Sequence, residues 1–152
     1  MTYVPKIYRK QGGNEMVVAN GGAITVEAGG AINFPSGGSA GQYMLTMDIA
    51  DGSAEGAYYL VCPHAGVISK IWSVIDGAVS TADITITAAI GGTNVTNGVV
   101  TIATAASAAG DVDSATPTAL RTVTAGQAIR LTVTGGGAGG SPRVHVAVVI
   151  ER

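Results

Sequence analysis

Cys62 and His64, in the run "VCPH", stand two residues apart. On an extended strand that spacing aims both side chains to one side, and a histidine beside a cysteine can take its proton and leave a nucleophilic thiolate. No third orienting group or oxyanion hole is near in sequence, and Cys62 follows Tyr58 and Leu60 in an apolar run, where a buried, inert cysteine is the ordinary outcome. "GDVDSAT", Gly110 to Thr116, spaces Asp111 and Asp113 as oxygen donors are spaced in calcium loops. It lacks the glycine and the distal glutamate of such a loop, so a solvated polar turn is expected. His145 alternates with Arg143 on the outward side of the last apolar segment, a place for a solvated or interface histidine rather than a metal ligand. "GGGAGG", Gly135 to Gly140, lies between two strand-like segments and opens no helix, so the helix N-terminus that holds phosphate is missing. The expectation is therefore no enzyme, no metal and no cofactor.

Composition narrows the class of function. Aromatic residues are 5% of the 152 and charged residues 12%, about half the usual charged share. A core must then be built from Val, Ile, Leu and Ala, and the surface must draw its polarity from Thr, Ser, Asn and Gly. Such a surface leaves neutral area for partners. The net charge of −2 argues against nucleic acid or an anionic membrane as partner. Lys6, Arg9 and Lys10 are nevertheless three of the eight basic residues, and they read either as a basic arm meeting an acidic partner or as a solvated start of chain. A single cysteine forbids an internal disulfide and is compatible with a reducing compartment. The first residues show no apolar signal-peptide core, and the longest weakly apolar run, Val99 to Ala109, is far short of the ~20 residues of a membrane span. A soluble protein without an export signal is expected.

The elements that would position these residues read as strands. "GGAITV" at Gly21 to Val26 returns as "GGAINF" at Gly29 to Phe34, and "PSGGSAG", Pro35 to Gly41, follows as a flexible hinge. This divides the chain into an arm, 1–41, and a domain, 42–152. Beyond the hinge, apolar and polar residues alternate with period two in "MLTMDIAD", "DITITAAI", "AIRLTVT" and "RVHVAVVIE", the mark of half-buried strands. "AYYLVCPH", "GVISKIWSVIDG", "GVVTIA" and "ALRTVTAG" bring the number to about eight, separated by turn signals such as "DG", "IGGTN", "TNG" and "TGGGAGGSP". No segment carries an apolar stripe at helical spacing. The fold class is all-β: an antiparallel β-sandwich, jelly-roll in type, with an immunoglobulin-like sandwich as the second topology.

One strand is apolar on both faces. In "VISKIWSVI", Val67, Ile71 and Ile75 fall on one side and Ile68, Trp72 and Val74, beside Lys70, on the other. Either the chain covers both sides itself, or the outer one packs on a neighbouring subunit.

Residues 57–152, with the marks "GDVDSATPT", "TVTAGQAI" and the terminal "VVIER", resemble the head decoration, or cement, proteins of tailed bacteriophages. The resemblance implies a jelly-roll β-sandwich made in the host cytoplasm and placed on the exterior of the virion, an oligomer that binds the major capsid protein of an expanded head and reinforces contacts between capsomers. A homotrimer is the first expectation and a dimer the second, with no nucleic acid and no membrane as partner. The capsid-binding arm would use Lys6, Arg9, Lys10, Ile24, Val26, Ile32 and Phe34, the Gly-Gly-Ala-Ile rungs adding strands to a partner or else folding back as a hairpin. The subunit interface would use Ile68, Trp72 and Val74. A head-fibre, tail-fibre or baseplate component is the alternative, and a carbohydrate-binding module the second alternative.

Overall fold

A computed structural model describes residues 7–9, 16–25, 41–137, 140 and 142–152 of the chain. The chain divides into two units, Met1–Gly38 and Ser39–Arg152. In the first, β1 (Ile7–Arg9) pairs antiparallel with β2 (Met16–Val18), Tyr8 opposite Val17. Residues 22–25, within the first Gly-Gly-Ala-Ile copy, lie outside any strand and follow a turn in which the Gly22 amide donates to the Ala19 carbonyl at 2.8 Å.

In the second unit the regular elements among the described residues are all strands: β3 (Gln42–Ile49), β4 (Gly56–Val61), β5 (Gly66–Ile75), β6 (Ile84–Ile90), β7 (Thr93–Ile102), β8 (Val112–Ala115), β9 (Thr122–Val123), β10 (Ala128–Gly135) and β11 (Val144–Glu151). They make two antiparallel sheets. One runs β4-β10-β6-β7, the other β3-β11-β5-β8, with β9 paired to the start of β5. Pairing is nested: β6 with β7, β5 with β8 and β9, β4 with β10, β3 with β11. The innermost pair closes through Gly91 and Gly92, whose φ values of 57° and 85° suit a tight hairpin turn open to residues without a Cβ.

The period-two pattern explains the core. Ile84, Ile86, Ile129, Leu131 and Val133 of one sheet and Ile49, Val144, Val146, Val148 and Ile150 of the other are all buried in a single apolar cluster. Tyr43 and Tyr58 only flank it, so branched aliphatic side chains, stiff at χ1 and suited to pleated surfaces, do most of the filling.

Three local departures from the expected pattern matter. Lys70 pairs with Val149 and Ile68 with Ile150, leaving Ser69 as an extra residue on β5. Such a bulge inverts the face assignment of everything before it. Ile68 is therefore 0% exposed, in the core with Ile71 and Ile75, and does not share the outer face with Trp72 and Val74 as expected; Val67, expected in the core, is only half-buried. Arg121 braces the bulge, its carbonyl accepting from the Ile68 amide at 2.9 Å and its Nη1 donating to the Ile68 carbonyl at 3.2 Å. Secondly, "TNG" is no turn between strands. The chain stays in β7 through Asn97, at φ 56°, while its register against β6 shifts. Thirdly, the expected polar turn at Asp111 and Asp113 is largely strand: β8 pairs with β5, Asp113 opposite Ser73, and the ladder continues as the Ile75 amide donates to the Asp111 carbonyl at 3.2 Å.

Candidate functional site

The Cys62–His64 pair does not assemble. Cys62 is 0% exposed, held in an extension of the β4–β10 pairing by its amide to the Gln127 carbonyl at 3.0 Å and by the Gly126 amide to its own carbonyl at 2.7 Å. His64 is exposed beyond the strand end. Its backbone carbonyl accepts a hydrogen bond from the Tyr43 hydroxyl, and the two rings meet edge to face with centroids 6.1 Å apart. Burial pushes the Cys62 thiol up, the hydrogen bond with Tyr43 pulling the other way, so the thiolate is disfavoured. The Tyr43 phenol is likewise raised, burial first and the neighbouring Cys62 second. Among the described residues no group of three or more His, Cys, Asp and Glu is placed to hold a metal ion, and no helix is long and apolar enough to cross a membrane.

A different surface stands out. In the sheet β3-β11-β5-β8, alternate residues of each strand face away from the core, and the registers set them in rows. One row is Met44, Val149 and Lys70; the next is Thr46, Ala147, Trp72 and Ser114; the third is Asp48, His145, Val74 and Val112. Met44 is 59% exposed, Val112 56% and Trp72 42%, with Val74, Ala147 and Val149 half-buried between them. Trp72, Val74, Val112 and Ala147 line a shallow depression of about 540 Å³ with Thr46 and His145 at its margin.

Polar groups rim this apolar centre. The Lys70 ammonium lies 4.8 Å from the centre of the Trp72 ring and donates to Thr116 Oγ1 at 2.8 Å, a cation over the negative face of an indole. At the opposite end Asp48 takes Arg143 Nη1 on one carboxylate oxygen at 2.9 Å and His145 Nδ1 on the other at 3.2 Å. Asp76 fixes the approach by accepting from the Arg143 amide at 2.7 Å. An apolar middle with a charged margin is the anatomy of a protein–protein contact.

No protein-family model matches the chain, and no curated protein matches it. The residues themselves therefore carry the functional argument.

Of the residues expected at the subunit interface, the structure keeps Trp72 and Val74 on the outer face and removes Ile68 to the core. Met44, Val112, Ala147 and Val149 were not singled out from the sequence. Their alternation was visible, but strand order, which sequence does not give, is what sets them beside Trp72. Of the residues expected in the capsid-binding arm, Ile24 is 50% exposed. Lys6, Lys10, Val26, Ile32 and Phe34 lie outside the described residues, as does the side chain of Arg9. Asp113 lies in β8 opposite Ser73 rather than in a loop with Asp111; its carboxyl is pushed up by burial and, to a smaller degree, by the Asp111 charge.

Proposed function

We propose that the protein is a virion structural component, a decoration protein that binds the outer surface of an expanded tailed-phage head and strengthens contacts between capsomers. The observation that carries the reading is the apolar outer face of β3-β11-β5-β8 around Trp72. A half-exposed tryptophan with Met44, Val74 and Val112 is costly to leave in water and stabilising to cover. In this reading subunits associate through that face, as a trimer in first place and a dimer in second, and the arm reaches the major capsid protein. Lys6, Arg9 and Lys10 supply the salt-sensitive part of the attachment.

Three further points support it. The nested pairing of β3 with β11, β4 with β10, β5 with β8 and β9, and β6 with β7 suits the winding of a jelly roll, an architecture common in capsid domains. The segments "GDVDSATPT", "TVTAGQAI" and "VVIER" resemble those of phage decoration proteins. A buried Cys62 with a raised thiol pKa and a separated His64 suit a structural role without catalysis or cofactor.

Co-sedimentation of the full chain with expanded, undecorated heads at low and high salt tests the attachment, and light scattering at micromolar concentration tests the association. Saturable binding that weakens at high salt, by a species heavier than one chain, is expected. A persistent monomer that stays in the supernatant at every salt concentration would overturn the reading.

A further inference from the structure

The opposite outer face, that of β4-β10-β6-β7, holds a smaller feature. Arg130, near the start of β10, lies directly across from Tyr59 on β4 and Ala89 on β6. All three face outward, and with Gly91, Gly92 and Gln127 they line a depression of about 250 Å³. Tyr59 is 63% exposed. Ala89, although it faces outward, is only 1% exposed, roofed by its neighbours, and Arg130 is half-buried with its Nε enclosed and without a hydrogen-bond acceptor. No acid lines the depression. Among the described residues the Arg130 side chain has no ion pair or hydrogen bond, although a guanidinium is permanently charged and carries five donors in a planar fork. A cation settled into a surface without its anion is an open half of a charge-assisted contact.

The rest of the depression says what shape of anion it suits. Gln127 turns its Oε1 toward Thr124, accepting from the Thr124 amide at 2.9 Å and hydroxyl at 3.2 Å, which leaves its Nε2 as a donor beside the Gly91 turn, 3.8 Å from where a side chain on Gly91 would begin. A side chain on Gly92 would meet nothing within 4 Å, so the side toward the β6–β7 turn is open. The features are thus an exposed aromatic ring, a free guanidinium, a free amide donor and an open wall. We propose that this depression binds a carboxylate-bearing sugar ring, such as a uronic acid residue of an acidic polysaccharide. The apolar face of the sugar ring lies against Tyr59, its carboxylate takes the terminal nitrogens of Arg130, and a hydroxyl takes the Gln127 amide. A site this small, with one aromatic platform, holds a single ring weakly, in the roughly millimolar range. An assembly displaying many copies converts that into avidity.

The test is a titration of the full ¹⁵N-labelled chain, followed by amide shifts, with sodium glucuronate, glucose and sodium acetate at matched ionic strength. Glucuronate is expected to shift Gly91, Gly92 and Arg130 saturably and to bind more tightly than either control. Arg130→Gln, on the outer face and with no partner to lose, is expected to weaken glucuronate about fivefold and to leave it no better than glucose. Tyr59→Ala is expected to weaken both sugars. Equal binding of glucose would show that the charge is not read, and equal binding of acetate, or tighter binding of a blocked glutamate dipeptide, would reassign the site to bare or peptide carboxylates. Any of these, or an absence of saturable shifts in the wild-type chain, overturns the proposal, and the wild-type titrations decide it even if a variant misfolds.

Discussion

On the outer face of β4-β10-β6-β7, Thr85 stands opposite Thr134 and Thr87 opposite Thr132, whereas the middle row of the other sheet's outer face sets Ala147 between Thr46 and Trp72, with Val149 and Val74 in the rows on either side. Both sheets use the same strand chemistry, and their inner faces are equally aliphatic. They differ in what water meets. Threonine is β-branched, so it suits a pleated strand as valine does, yet its hydroxyl keeps the surface hydrated. Replacing that row by Trp, Val and Ala gives up the hydration without adding anything to the core. A face of that kind gains only when something covers it, which is why the two faces are assigned different roles here: association for the Trp72 face, and a local, polar recognition site for the Arg130 face.

The assignment depends first on the bulge at Ser69, because it decides which residues of β5 belong to the apolar outer face at all. Ile68→Ala is expected to destabilise the fold by about 2–5 kcal/mol, as for a fully enclosed aliphatic side chain. Val67→Ala, half-buried, is expected to cost well under half of that. Chemical denaturation of both variants decides it. Equal costs, or a larger one at Val67, would mean that the strand runs without the bulge and that Ile68 belongs outside.

Next in size is Trp72. At 42% exposure it lies outside the core cluster, so Trp72→Ala is expected to lower the melting temperature of the dissociated protein less than Ile68→Ala does. Its effect on association is expected to be at least about 2 kcal/mol, roughly thirtyfold in the dissociation constant, as for a central aromatic at a contact. Light-scattering mass across a dilution series measures it. Unchanged association would move the contact elsewhere, and a collapse of the fold would show that Trp72 is packed within its own subunit.

Much of this was readable from period-two alternation. It marked the apolar side of nearly every long strand, and with it Ile84, Ile86, Ile129, Leu131, Val146 and Val148 as core. Alternation fails where the backbone departs from a regular ladder. Nothing in "VISKIW" announces that Ser69 is unpaired, since a bulge is selected by the partner strand and here by Arg121 as well. "TNG" has the composition of a turn, but Asn tolerates a left-handed φ inside an irregular strand as readily as in a loop. "DVDSA" is polar enough to read as solvent-exposed, and becomes strand only because β5 offers an edge to it. The association face was half legible: Trp72 and Val74 lie on one strand, while their neighbours come from β3, β11 and β8.

Asp113 sharpens the contrast at smaller scale, since it places an acid in the sheet with the apolar outer face. Its carboxyl pKa is raised, by burial first and then by Asp111, so the charged form is the one the fold disfavours. For an acid with a raised folded pKa, the stability it contributes is present below the ordinary value of 3.8 and is lost as pH rises through the folded value. Asp113→Asn is therefore expected to raise the melting temperature at pH 7 and to have no effect near pH 3. A gain of the same size at both values would trace the effect to packing rather than to charge.

The smallest expected effect lies on the threonine face. Thr85 and Thr134 share a hydroxyl–hydroxyl hydrogen bond of 2.6 Å between adjacent strands, and both are exposed or half-buried, where water competes for the same groups. A cross-strand pair of this kind contributes about 0.2–1 kcal/mol. Thr85→Val and Thr134→Val, singly and together, are expected to give a coupling energy in that range by denaturation. The double variant also makes this face resemble the other one. If exposed aliphatic area alone drives association, the double variant should gain mass by light scattering at concentrations where the wild type does not. If association needs the tryptophan, its rim of Lys70, Asp48 and Arg143, and the depression between them, two valines on a flat face should leave the mass unchanged. We expect the unchanged mass, because scattered valines add area without a pocket to seat a partner's side chain.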